Sequence, residues 1–238
     1  MNDSTSCDIQ IAITGSGGAG SITAGELLLS LAGKNGCFGI MRRSFGPQIR
    51  GGEAAALVRI GHRPIECMSD SFDLWLALDW QNADRFADEI ALRPESLIIA
   101  DPAAGAIPDR ITDLGLVIIE IPMKALAKEV ELGRPNMVAL GLLTHWLDYC
   151  GNEAGRLIEH VFSRKGADIV AGSLAAFNKG FTEPVIIDAR EAHGGPGSCD
   201  RENSGQRWDL SGNEGCGLGA VRGGIRFAAA YPITPASD

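Results

Sequence analysis

Ile9-Gln-Ile-Ala-Ile-Thr-Gly15-Ser-Gly-Gly-Ala-Gly20 joins a short apolar run to a glycine cluster, and Leu27, Leu28 and Leu31 follow in an amphipathic stretch. The run has the length of one buried strand. Glycines let such a strand turn tightly into a helix whose first amides receive an anionic group. A second cluster, Ser44-Phe-Gly-Pro-Gln-Ile-Arg-Gly-Gly-Glu53, lies one βαβ further on. Arg50 stands directly before Gly51 and Gly52, with Arg42 and Arg43 just upstream. Backbone amides with mobile guanidinium groups nearby point to a phosphate-bearing ligand.

Outward from this stretch, short apolar runs alternate with helical patterns. That alternation predicts an α/β domain with a mostly parallel, Rossmann-like sheet and helices on both faces. Strands are expected over 8–14, 37–42, 53–60, 73–78, 96–100 and 116–121, and helices over 19–33, 80–91, 123–131, 136–150, 153–164 and 167–179. Asp73–Asp79 and Gly115–Ile121 are apolar nearly throughout, as in strands covered on both faces. Asn136, behind Pro135, is placed to cap the helix it opens, in preference to touching a ligand.

From Phe181 to about Leu210 the pattern dissolves into Ala192-His-Gly-Gly-Pro-Gly-Ser198 and a polar run, too long for an ordinary loop. Regularity returns at Ser211-Gly-Asn-Glu214, a capping-box spacing ahead of Leu218, Val221 and Ile225. The expected organisation is a domain over 1–184, a connector over 185–210, and a second unit over 211–238. That second unit is too short to bury a core of its own.

Composition narrows the classes. The chain has 238 residues, 45% of them hydrophobic and 21% charged, the balance of a globular protein with a sizeable core. A formal charge of −9 argues against general nucleic-acid binding but leaves room for a local basic pocket. No apolar window approaches a membrane span, and the start lacks the marks of a signal peptide, so a cytoplasmic protein is expected. Six cysteines are scattered without a C-x-x-C pair and the histidines lack ligand spacing, so no metal site is expected in this chain.

Gly15-x-Gly17-x-x-Gly20 is formally the dinucleotide fingerprint. It asks for an acidic residue at the end of the second strand, where this chain has Arg42 and Arg43. The arginines suit the 2′-phosphate of NADP or the 3′-phosphate of coenzyme A. They equally suit a solvated strand end, and the glycines a turn made for packing alone.

Taken with Arg134-Pro-Asn-Met-Val-Ala-Leu-Gly141, the two clusters resemble the γ domain of 2-oxoacid:ferredoxin oxidoreductases, most like the 2-oxoglutarate type over Ser44–Ala55. Gly212-Asn-Glu214 and Tyr231-Pro-Ile-Thr-Pro235 are similar to the start of that enzyme's α subunit. The resemblance implies the γ-then-α order of a fused large subunit, truncated here. Residues 211–238 would then be the first helix and loop of an incomplete thiamine-diphosphate pyrimidine-binding domain.

It further implies a share in coenzyme A-dependent oxidative decarboxylation of a 2-oxoacid, with electrons passing to ferredoxin. Thiamine diphosphate, Mg2+ and a [4Fe-4S] cluster would sit on a partner β subunit of a hetero-oligomer. By this resemblance, Gly17, Gly18 and Ala19 offer amides to the coenzyme's pyrophosphate or pantetheine. Gln48, Arg50, Gly51 and Gly52 shape the same channel, and Thr234 faces thiamine or substrate in a catalytic role. A stand-alone NADP-binding reductase domain and a non-catalytic assembly module are the competing expectations.

Overall fold

Six strands form one sheet in the order β2-β3-β1-β4-β5-β6. They are β1 (Ile9–Ser16), β2 (Phe38–Phe45), β3 (Glu53–Gly61), β4 (Phe72–Ala77), β5 (Leu92–Ala100) and β6 (Val117–Glu120). The computed structural model describes residues 8–46, 52–80, 83–193, 208–229 and 231. The chain divides into two compact units, Met1–Gly205 and Gln206–Asp238.

The sheet is mostly parallel: β1, β4, β5 and β6 pair in parallel, while β3 runs against both β1 and β2. β2 and β3 form a hairpin closed by the Gly46 amide donating to Glu53 O at 2.9 Å. The hairpin places β3 between β1 and β2, so the strand after the first helix is not β1's neighbour. Because β3 is antiparallel, its beginning meets the end of β1, with Ser16 opposite Glu53. The glycine turn after β1 and the described ends of the second cluster, Ser44–Gly46 and Gly52–Glu53, thus share one edge of the sheet.

The long helices gather on one face. They are α1 (Ser21–Lys34), α4 (Pro135–Trp146), α5 (Gly151–Phe162), α6 (Ala167–Phe181) and α7 (Pro184–His193), joined by the shorter α3 (Met123–Lys128). Ile11, Ile13, Leu28, Leu31, Leu76 and Ile99 meet Val138, Leu142, Ile158 and Phe177 in one buried cluster. The other face carries a single helical turn, α2 (Asp109–Thr112), and a 3-10 turn over Ala83–Phe86. There Trp75, Trp80, Phe86, Ile90 and Ile98 form a second cluster. Trp75 Nε1 donates to Thr14 Oγ1 at 2.8 Å, which satisfies the indole inside the core.

α4 and α6 cross at glycines. A Cβ on Gly141 would come within 3.0 Å of Phe177 O and Phe181 N, and one on Gly180 within 3.0 Å of Val138 O. Backbone therefore rests on backbone at this crossing, a separation that only glycine permits.

Three expectations are corrected. Residues 80–91 are not a helix. Trp80, Ala83, Phe86 and Ile90 carry helical spacing, but they bury themselves from a 3-10 turn and the loop after it. β6 is not covered on both faces; it is the last strand, and Val117 is 41% exposed while Ile119 and Ile121 point into the core. Irregular chain does not begin at Phe181. α7 continues to His193 and sets Ile186 in the main core, so the connector expected from 185 starts inside a packed helix.

The sheet edge away from the glycines is fastened by the buried Gln10 and the half-buried Asp73. Gln10 donates from Nε2 to Ser69 O at 3.0 Å and to Ser71 O at 3.2 Å, and its Oε1 accepts from Ser69 N at 2.6 Å. Asp73 accepts from the Gln10 amide at 2.7 Å and pairs with Arg93. The loop 62–71 is thereby tied to the strand it passes.

The second unit contains α8 (Gly212–Arg222), which begins with the capping box expected from its sequence. Ser211 Oγ accepts from Glu214 N at 3.2 Å, and Ser211 N donates to Glu214 Oε2 at 2.7 Å. No α8 residue is buried, and Trp208, Val221, Ile225, Phe227 and Tyr231 are exposed.

Hydrogen bonds that Ser211 gives to the Glu214 carboxyl, its backbone first and its side chain second, hold that carboxyl below its ordinary 4.5. A carboxyl depressed in the folded state stabilises at pH values above its unfolded value. That contribution is lost as pH falls through the folded one. Acidification below the usual carboxylate range should therefore fray the first turn of α8, read as faster exchange of the Glu214 amide in the full chain. A Glu214 carboxyl titrating at or above 4.5 would contradict this cap.

Candidate functional site

β1 ends at Ser16, and the chain turns through Gly17, Gly18, Ala19 and Gly20 into α1. Two contacts fix this turn. The Asp79 carboxylate accepts from Ser16 N at 2.7 Å, and Ala19 N donates to Ser16 O at 2.9 Å. Gly20 precedes the helix in the left-handed region at φ 88°, a conformation that glycine adopts at little cost. α1 has no side-chain cap and no acidic residue in its first turn. Its first internal donor is Ala24, to Gly20 O at 2.9 Å. Helix geometry leaves the amides of Ser21, Ile22 and Thr23 without partners inside the helix, at the positive end of its dipole.

A cavity of about 390 Å³ opens at this terminus. The turn contributes Gly17, Gly18 and Gly20, and the hairpin contributes Phe45, Gly52, Glu53 and Ala54. The start of α4 adds Arg134, Asn136 and Met137. Phe162, Lys165, Ile169 and Ser173 close it from α5, the turn after it and α6. The site stands at the carboxyl ends of the parallel strands, where α/β sheets characteristically bind ligands.

Its charges favour an anion. Arg134 and Lys165 are cations on the wall, and Lys165 Nζ lies 4.8 Å above the Phe162 ring. Glu53 is the opposing charge, only 4% exposed. Arg85 Nη1 lies 2.5 Å from its Oε1, an ion pair by distance without hydrogen-bond alignment. That guanidinium offsets a carboxylate that would otherwise repel an incoming phosphate. Arg42 and Arg43 are not part of the site. They pair with Glu89 at 3.3 Å and Glu26 at 2.7 Å on the surface, which leaves neither aimed at a nucleotide phosphate.

Of the residues expected at the site, Gly17, Gly18 and Gly52 line the cavity. Ala19 does not, and its amide closes the turn instead of facing a ligand. Gln48, Arg50, Gly51 and Thr234 lie outside the described residues. Asn136 is not a cap. Arg134 is the N-cap of α4 and Pro135 its first residue, so Asn136 sits one place further in. There its Nδ2 donates to Gly20 O at 3.3 Å across the cavity floor. Sequence reasoning missed Lys165, Phe162 and Ser173, which reach the site from helices more than a hundred residues beyond the glycines.

Among the described residues no cluster of His, Cys, Asp and Glu is arranged to hold a metal ion. Nor is any described helix long and apolar enough to cross a membrane.

A six-stranded, mostly parallel sheet with an anion-favouring cavity at a glycine turn defines a ligand-binding α/β domain. Comparison with known proteins identifies which one. The profile of the pyruvate ferredoxin/flavodoxin oxidoreductase family matches residues 10–183, and the chain belongs to that family. It is 28% identical over 177 residues to the 2-oxoglutarate synthase subunit KorC of Methanocaldococcus jannaschii, covering 72% of this chain and 91% of the relative.

Among solved structures it is similar to the 2-oxoglutarate:ferredoxin oxidoreductase of Magnetococcus marinus with 2-oxoglutarate, coenzyme A and succinyl-CoA bound. The TM-score is 0.80 at 30% identity, over 98% of this chain. The chain spans 40% of the length of that protein. The γ subunit of a keto/oxoacid ferredoxin oxidoreductase from Geobacter sulfurreducens shares the fold, with a TM-score of 0.58 at 24% identity over 76% of this chain and 98% of the other.

Proposed function

We propose that this chain supplies the coenzyme A side of a 2-oxoacid:ferredoxin oxidoreductase. The reaction is 2-oxoacid plus coenzyme A plus two oxidised ferredoxins, giving acyl-CoA, carbon dioxide, a proton and two reduced ferredoxins. The 2-oxoglutarate type is the favoured assignment, since both the Methanocaldococcus relative and the Magnetococcus structure carry that substrate in their names. The observation that carries the reading is the cavity at the uncapped start of α1, walled by Arg134 and Lys165. It offers amides and cations to a ligand rich in phosphate, in a fold shared with the Magnetococcus enzyme, whose structure has coenzyme A bound.

This chain's residues bind and orient. Asp79 and the Ala19 amide hold the glycine turn in shape, so the first amides of α1 face the cavity before any ligand arrives. Arg85 keeps the buried Glu53 charge from opposing entry. Thiamine diphosphate with Mg2+ would supply the carbanion chemistry and a [4Fe-4S] cluster the electron path, both on a partner β subunit. Thr234 is proposed to face thiamine or substrate from the loop after α8.

The test is thermal. At 100 times its dissociation constant a ligand stabilises by about 2.7 kcal/mol, so coenzyme A should raise the melting temperature of the full chain by several degrees. NADPH at the same concentration should leave it unchanged. A shift with NADPH and none with coenzyme A would move the assignment to a reductase domain. No shift with either would favour an assembly module. Dye reduction driven by 2-oxoglutarate should require the partner subunit, and turnover by this polypeptide alone would overturn the division of roles.

A further inference from the structure

Asn136 is a buried polar residue of the cavity whose chemistry the reading above leaves unused. It is 5% exposed, and its Oδ1 has no hydrogen-bond partner in the structure. Its Nδ2 is committed to Gly20 O, which fixes how the amide plane is turned. Gly20 O has another donor, Ala24 N at 2.9 Å, so the Asn136 contact is not needed to satisfy that carbonyl. The arrangement spends a buried amide on a bond the backbone can do without, and leaves its acceptor uncompensated. A buried acceptor in that condition is costly unless something donates to it.

Elsewhere in the cavity the helix amides, Arg134 and Lys165 are donors that suit an anion, and the one opposing carboxylate, Glu53, is paired with Arg85. A phosphate, being an acceptor, cannot satisfy Asn136 Oδ1. The atom asks for a neutral N–H or O–H carried on the same ligand, close to the phosphate received at the α1 terminus. Coenzyme A offers such groups in two places, the amides and hydroxyl of its pantetheine arm and the amine of its adenine.

We infer that Asn136 is a specificity-determining contact, whose Oδ1 accepts a hydrogen bond from a neutral donor on the ligand while Nδ2 braces it against the Gly20 turn. This rests on the coenzyme A reading. It adds that phosphate alone is insufficient and that the ligand is selected by a donor beside its phosphate.

The experiment is calorimetric titration of the full chain, unaltered and as Asn136→Leu, with coenzyme A and with 3′,5′-adenosine bisphosphate, which lacks the pantetheine arm. Leu keeps the branched outline with the same number of side-chain heavy atoms, and Gly20 O keeps its Ala24 donor. Asn136→Ala serves if Leu proves too bulky to fold. Loss of one neutral hydrogen bond should weaken coenzyme A roughly 3- to 10-fold. If 3′,5′-adenosine bisphosphate is unaffected the donor is on the pantetheine arm, and if it weakens in parallel the donor is the adenine amine. Either result supports the inference. Coenzyme A bound equally well by both chains would overturn it and leave the coenzyme A reading standing. Failure of the unaltered chain to bind coenzyme A would overturn both.

Discussion

Gly141→Ala should cost roughly 3 kcal/mol of stability or more, the upper end of what overpacking one methyl into a finished core produces. The added carbon would fall within 3.0 Å of Phe177 O and Phe181 N, which are backbone atoms of α6. No rotamer change relieves such contacts, so one helix has to move off the other. Gly180→Ala presses on Val138 O across the same crossing and should behave alike. Because both substitutions separate the same pair of helices, the double variant should lose less than the sum of the singles. Urea denaturation of the three variants is the measurement. A loss below about 1 kcal/mol for both singles would mean that α4 and α6 are not clamped at this distance. Coenzyme binding should also weaken, since α4 carries Asn136 and α6 carries Ser173 to the cavity.

Gly20→Ala should be nearly as damaging to the fold and more damaging to the site. Alanine at a φ of 88° costs roughly 1–2 kcal/mol by itself. Its Cβ would also fall within 3.0 Å of Asn136 Nδ2 and Cγ, driving that side chain from its place. The total expected is about 2–4 kcal/mol, with coenzyme A affinity down at least about 10-fold. Gly18→Ala separates the two effects. Gly18 has a φ of 91°, but a Cβ there meets nothing within 4 Å, so only the backbone cost applies. Equal losses of coenzyme affinity in the two variants would show that displacing Asn136 contributes nothing to binding.

How much of this was legible in the sequence depends on how local the determining contacts are. Every strand was, because runs such as Leu74–Ala77 and Ile9–Thr14 are too short and too apolar for anything else. Strand direction was not. The apolar run along Glu53–Gly61 reads the same in a parallel or an antiparallel strand, and only the hairpin sets it beside β1. The stretch 80–91 misled because an interval of three or four suits a 3-10 turn and loop covering a sheet as well as it suits a helix. The glycine turn was legible as an anion site for reasons of backbone chemistry. Its walls were not, since Lys165 and Ser173 come to it through the glycine crossing of α4 and α6, and nothing near residue 20 announces that contact. Asn136 was expected as the cap, but Pro135 starts the helix and the cap falls to Arg134, two positions earlier.

The antiparallel hairpin has a consequence for how such a domain can change over time. By turning β3 around, it brings the glycine turn and the facing ends of β2 and β3 to one rim of the sheet. The opposite rim is left to Gln10, Asp73 and the loop they fasten. The two rims stand a full strand length apart. Insertions or a fused partner at 62–71 need to preserve only the Gln10 fastening and impose nothing on the cavity. Variation at Phe45 or at Gly52–Ala54 reaches the cavity wall and leaves the far rim undisturbed.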